Sequence, residues 1–256
     1  MAGLRPLIIA LQFKQYGCLQ LLLEAGADVH EVEAMNGLTS FMIAVLQHDV
    51  FAFQQLLATL PALPPLALEP GGQAAAWRRR LAALREDRLL TTFSAQRRNL
   101  LYVMVEHNQL EAFGLLWERL FLPPPRMDLA VGLGLGDHES DGDALEALRL
   151  AEEWDSALVN ELLVDEESGL SLLHAVCMFD RANFLALLLG EQQRSSRVLR
   201  SSADGSLGER RWLFPLDFER RTRLGMSCAQ VCEHYQAAEC RRVLEFSRLQ
   251  AEPPLL

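Results

Sequence analysis

The chain has 256 residues, a formal net charge of -10 and 50% apolar residues. That apolar share supplies a sizeable core and argues against wholesale disorder, while the acidic balance argues against nucleic-acid binding by the chain as a whole. Five scattered cysteines (Cys18, Cys177, Cys228, Cys232, Cys240) make no disulfide framework and fit a reducing compartment. No apolar run approaches the ~20 residues a membrane helix needs. Leu7-Ile8-Ile9-Ala10-Leu11 mimics a signal-peptide core, but Gln12 and Lys14 interrupt it and no small-residue cleavage site follows. The expected location is cytoplasmic, with the nucleus as the alternative.

Pro6-Leu7-Ile8-Ile9-Ala10 starts a short apolar helix. Leu21-Leu22-Leu23-Glu24-Ala25-Gly26-Ala27-Asp28 ends a second one. Gly26 lacks a Cβ and can close that helix in the left-handed conformation. Asp28 then favours a turn. Together these stretches resemble an ankyrin repeat. That family's unit runs Thr-Pro-Leu-His-x-Ala-Ala, a turn, and an outer helix ending in leucines, with a period of about 33 residues.

Taken in order, that register places one unit at Arg5, with Ile8 where His is usual. A second opens at Thr39, behind the hairpin dipeptide Asn36-Gly37. Residues 1–60 are thus two repeats. Residues 61–96 are a first insertion: a loop broken by Pro61, Pro64, Pro65, Pro70, Gly71 and Gly72, then a basic helix from Gln73 to Leu90. On that helix Trp77, Leu81 and Leu84 share one face. Residues 97–122 hold a third repeat, opened by Asn99. Residues 123–168 hold a Pro/Gly loop and an acidic segment, in which Ala147–Ala151 and Leu158–Leu163 could be two helices of a degenerate repeat. Residues 169–190 hold a fourth repeat, Gly169-Leu170-Ser171-Leu172-Leu173-His174-Ala175, whose outer helix closes at Gly190. Residues 191–224 are a Ser/Arg-rich insertion ending in a short arm, Trp212 to Phe218. Residues 225–250 are a terminal capping repeat opened by Ser227, and 251–256 a tail. The chain begins almost at its first inner helix, which fits either a tolerated exposed end or a shortened product.

The resemblance implies an all-α, ankyrin-like helical-repeat solenoid of about five to six helix-turn-helix units with three insertions. Each unit has two short helices that cannot bury their apolar faces alone; stacking makes the core continuous. Ala10, Ala44 and Ala151 would admit close helix approach. Cys18 and Cys240 share a register expected to face the core.

Candidate chemistry is thin. Cys228, Cys232, His234 and Cys240 could supply zinc ligands, but finger spacings are absent and packing is the expected role. Gly132-Leu133-Gly134-Leu135-Gly136 lacks the strand and helix of a dinucleotide fingerprint. His174 and Ser171 read as turn-forming and N-capping residues rather than a base and nucleophile. The acids from Asp137 to Glu167 lack the spacing of a calcium loop. No catalytic set, metal site or cofactor is expected.

The expected function is therefore that of a non-enzymatic interaction scaffold or adaptor for an unidentified partner protein. The resemblance implies contacts on the hairpin tips and inner-helix ends. Carried onto this chain, they are Phe13, Met35, Leu38, Leu46, Gln47, Glu106, His107, Met178, Phe179, His234 and Tyr235. The alternative is a regulatory or membrane-surface adaptor acting through the basic amphipathic helix 77–90, with Arg78, Arg79, Arg80, Arg85 and Arg88. Those arginines could instead meet the chain's own acidic segment, and that reading is favoured. Oligomeric state is left open.

Overall fold

Each inner helix of this chain opens on a residue with extended backbone and closes on one with a left-handed backbone. The structure, a computed structural model, describes residues 5–61, 75, 78–79, 81–83, 87–120, 146, 149–150, 153–154, 156–198 and 216–251. Inner helices run Pro6–Gln12, Ser40–Leu46, Leu100–Glu106, Leu172–Met178 and Cys228–His234. Each is followed by an outer helix: Tyr16–Glu24, Val50–Thr59, Leu110–Leu120, Ala182–Val198 and Ala238–Ala251.

The opening residues are Arg5, Thr39, Asn99, Ser171 and Ser227. Thr39 accepts a hydrogen bond from the Met42 amide at 3.2 Å, and Asn99 from Tyr102 at 3.1 Å. Such caps satisfy amides that the helix cannot. At one fixed distance beyond each opening residue stand Lys14, His48, Asn108, Asp180 and Gln236, all with φ between 51 and 58°. The next amide then bonds back to the helix: Gln15 to Ala10 O, Asp49 to Ala44 O, Gln109 to Met104 O, Arg181 to Val176 O and Ala237 to Cys232 O, at 2.8–3.0 Å. That is the Schellman closure of a helix end. None of the five is glycine, so the turn carries a local cost of up to roughly 1–2 kcal/mol per residue that stacking offsets, least at Asn108 and Asp180, whose side chains tolerate this backbone.

Inner helices pack on inner helices throughout, and outer on outer, the third and fourth outer helices meeting through Phe113 and Phe184. The second and third units stack directly although residues 61–96 intervene. The core is continuous, with Phe41, Phe53, Phe113 and Phe184 fully buried. Phe113 meets Phe184 of the next unit with ring centroids 4.9 Å apart. Hairpin tips also join by backbone bonds: Ala95 N to Asn36 O, Glu166 N to Arg97 O and Arg223 N to Ser168 O. Gly169 (φ 69°) lies so close under Arg223 that a Cβ would sit 2.6 Å from its Cγ.

Four local expectations change. The helix expected over Gln73–Leu90 is not one element: Asp87 is extended, accepts the Leu89 amide at 2.8 Å and caps a separate helix, Arg88–Thr91. The fourth outer helix does not stop at Gly190 but runs on to Val198. A helical glycine costs only about 1 kcal/mol, and the following Glu-Gln-Gln-Arg run favours helix. Leu163 does not end a helix. A π-helical turn, Ala157–Glu161, passes into a strand, Leu163–Asp165, paired antiparallel with Leu170–Ser171. Finally, Cys18 is exposed while Cys240 is buried. Cys240 packs on the preceding unit, its thiol 3.5 Å from Val176 O. Among the described residues no earlier unit covers Cys18. The arm expected over Trp212–Phe218 lies outside the described residues as far as 215.

Candidate functional site: a groove across three units

The third, fourth and fifth units leave a groove of about 360 Å³ between hairpin tips and inner-helix ends. Its floor is built by Tyr102, Leu170, Met178 and Phe179, with Met226 beside them; Leu224 and Tyr235 line it from the fifth unit. Arg98, Glu106, Asp165, Ser168 and Thr222 supply the polar lining.

Local rules hold these groups in place. Arg98 precedes Asn99, so the cap that starts the third inner helix also fixes the arginine. Its guanidinium lies 4.5 Å from the Tyr102 ring centroid and 3.2 Å from Glu106 Oε1. Tyr102 meets Phe179 edge-on at 5.4 Å. Burial pushes the Tyr102 phenol up to about 12, so it stays neutral. Asp165 serves the fourth tip: its carboxylate accepts from the Glu167 amide at 2.9 Å and from the Ser168 hydroxyl at 2.7 Å. Met178 and Phe179 end the fourth inner helix, where Arg181 ties the third and fourth units by donating to Val105 O at 2.9 Å and Glu106 O at 2.6 Å. Tyr235 is 48% exposed and Leu224 77%.

Of the expected contact residues, the structure gathers Glu106, Met178, Phe179 and Tyr235 into this groove. His107 lies beside it, 3.8 Å from Glu106, and His234 packs edge-on to Tyr235 at 4.9 Å. Phe13, Met35, Leu38, Leu46 and Gln47 lie apart from the groove, on the first two units. Phe13 and Met35 are exposed there, whereas Leu38, Leu46 and Gln47 are half-buried. Arg98, Tyr102, Asp165, Ser168, Leu170, Thr222, Leu224 and Met226 are groove residues that the sequence reading passed over. The signal was available: 165–170 and 222–226 stand in the tip register of 33–38.

The other candidates resolve into structure. His174 Nδ1 accepts from Ser171 Oγ at 2.8 Å, so Nε2 carries the proton and donates to Arg220 O at 3.0 Å. Burial lowers its pKa and keeps it neutral. Cys228, Cys232 and Cys240 are buried with Cys177, while His234 is exposed. Hydrogen bonding with Cys228 and Cys232, together with burial, raises the Cys177 thiol's pKa. Burial also raises the Cys240 thiol, so Cys177 and Cys240 stay protonated as inert packing groups. Among the described residues no three His, Cys, Asp or Glu side chains are placed to hold a metal. Nor is any helix there long and apolar enough to cross a membrane. Arg78 pairs with Glu146 at 3.2 Å, and Arg88 with Asp28 at 3.4 Å. Arg79 is exposed; Arg80 and Arg85 lie outside the described residues.

A family model described as "Ankyrin repeat" matches residues 2–33. No curated protein matches the chain significantly. Among solved structures the chain is similar to the human ASB11 ankyrin repeat domain, at 15% identity, 98% coverage of this chain, 100% of that one and a TM-score of 0.33. At that score the similarity carries no weight beside the repeated backbone register. The family model covers the first unit, and the same extended openings and left-handed helix closures recur in four more, so the fold is an all-α, ankyrin-like repeat solenoid.

Proposed function

We propose that this protein is a non-enzymatic interaction scaffold whose partner protein seats on the inner-helix and hairpin face of the third to fifth units. The observation that carries this reading is the groove itself, along which Met178, Phe179, Met226 and Tyr235 stand partly exposed. Half-exposed aromatic anchors ringed by polar groups are what interface hot spots use. Ankyrin repeats generally mediate protein-protein interaction, which agrees. The arginines of the first insertion support the intramolecular reading of that segment, since Arg78 and Arg88 already meet carboxylates of the same chain.

Cross-linking capture with the full chain tests the proposal. A Met178→Glu, Tyr235→Ala double variant with an unchanged far-UV spectrum and melting temperature should lose the proteins that wild type recovers. A Phe13→Ser control should keep them. Recovery by the double variant equal to that of wild type would remove this face as the binding surface.

A further inference from the structure

The groove's size and charge narrow the kind of partner, an inference that rests on the binding reading above. We infer that it takes a short extended peptide segment inserting one bulky apolar side chain, followed closely by a basic one. The volume of about 360 Å³ has room for one large side chain and its flanking backbone. A second copy or a folded domain would bury about 800 Å² on each partner, mostly on surface outside this groove. The apolar end has Met178 and Tyr235, and methionine adapts its shape to varied apolar guests.

The charged lining is two carboxylates, Glu106 and Asp165, against one guanidinium, Arg98. That guanidinium is already spent on Glu106 Oε1 and the Tyr102 face. Among the described residues, the ion-pair partner at Glu106 Oε2 is His107, at 3.8 Å. A carboxylate oxygen accepts from more than one donor, so Glu106 offers an acceptor beside the apolar end. Neighbouring arginines outside the lining are held by the chain itself: Arg97 pairs with Glu166, Arg223 donates to Glu167 O at 3.2 Å, Arg221 to Gly225 O at 2.7 Å, and Arg181 to Val105 O and Glu106 O. The chain's net charge of -10 favours approach of a basic segment.

The test is selection of a random 12-residue displayed peptide library on the full chain, with the selected peptides then synthesised and titrated by fluorescence anisotropy. The expected consensus pairs Trp, Phe or Leu with Arg or Lys one to three residues away. Its affinity should fall at least tenfold with Tyr235→Ala. Glu106→Gln should cut the advantage of Arg over Gln in the peptide about threefold. A consensus that depends on Tyr235 but is neutral or acidic overturns this inference and leaves the binding face standing. No Tyr235-dependent peptide, or self-association by sedimentation that Tyr235→Ala abolishes, overturns the peptide proposal. Recovery of cross-linked partners by the groove variant would overturn the binding face separately.

Discussion

The first two units and the last three share one backbone and differ in how their inner-helix ends are finished. In the first pair, polar groups tie the row together. Gln12 Nε2 donates to Glu33 at 3.3 Å, Gln47 Nε2 donates to Gln12 O at 3.2 Å, and Lys14 Nζ donates to Gln47 O at 3.3 Å. In the later units the same register carries Met178 and Phe179, which have no polar group to offer, and the half-exposed Tyr235; Arg181 ties the third and fourth units through Val105 O and Glu106 O, and a groove is left above. The repeat thus sets where side chains stand, and a few residue types decide whether the surface is closed or grooved.

The largest effects should test whether both regions belong to one cooperative body. Phe41→Ala in the second unit and Phe113→Ala in the third should each cost about 3–5 kcal/mol, read by urea unfolding. Far-UV signal and fluorescence of the buried Trp117 and Trp154 should shift together in both variants. A Phe41→Ala transition that moves the far-UV signal alone would split the array between its second and third units.

Smaller effects test the tips. Gly169→Ala should cost about 1–3 kcal/mol, because it adds left-handed strain to a clash with Arg223. Gly225→Ala, at φ 77° with open space around it, should cost only the strain, about 1 kcal/mol. Equal losses would show that Arg223 yields at no cost.

Each region also holds a histidine kept neutral by burial, His30 in the first and His174 in the second. Both pKa values are lowered in the fold, so the unfolded chain binds more protons as pH falls below about 6.5. Stability should therefore be full above that pH and decline toward pH 5. His174→Gln should flatten the melting temperature profile over this window, leaving the share due to His30. An unchanged slope would assign the dependence elsewhere. The smallest effect is expected at the surface ties: Gln47→Ala should change stability by less than about 0.5 kcal/mol in thermal melts.

Much of the architecture was legible because repeats write one pattern many times. Leucine pairs, Gly26, and the openers Thr39, Asn99, Ser171 and Ser227 mark helix boundaries by chemistry that acts within a few residues. Local signals misled where two of them competed: Gly190 is a stop signal among good helix formers, and Asp87 is a cap hidden in an Ala/Leu/Arg run. The groove was half legible. Glu106, Met178, Phe179 and Tyr235 follow from carrying one register along the chain. Leu224, Met226 and Asp165 belong to tips whose own motifs are weak.

The sequence by itself determined the period, the caps and the apolar faces, because these depend on residue types at short spacing. Only the tertiary structure decided that Cys18 is bare while Cys240 is packed, that the second unit stacks on the third across an insertion, and that residues from three units enclose one groove. Those outcomes depend on which unit lies next in space, and distance along the chain does not encode that.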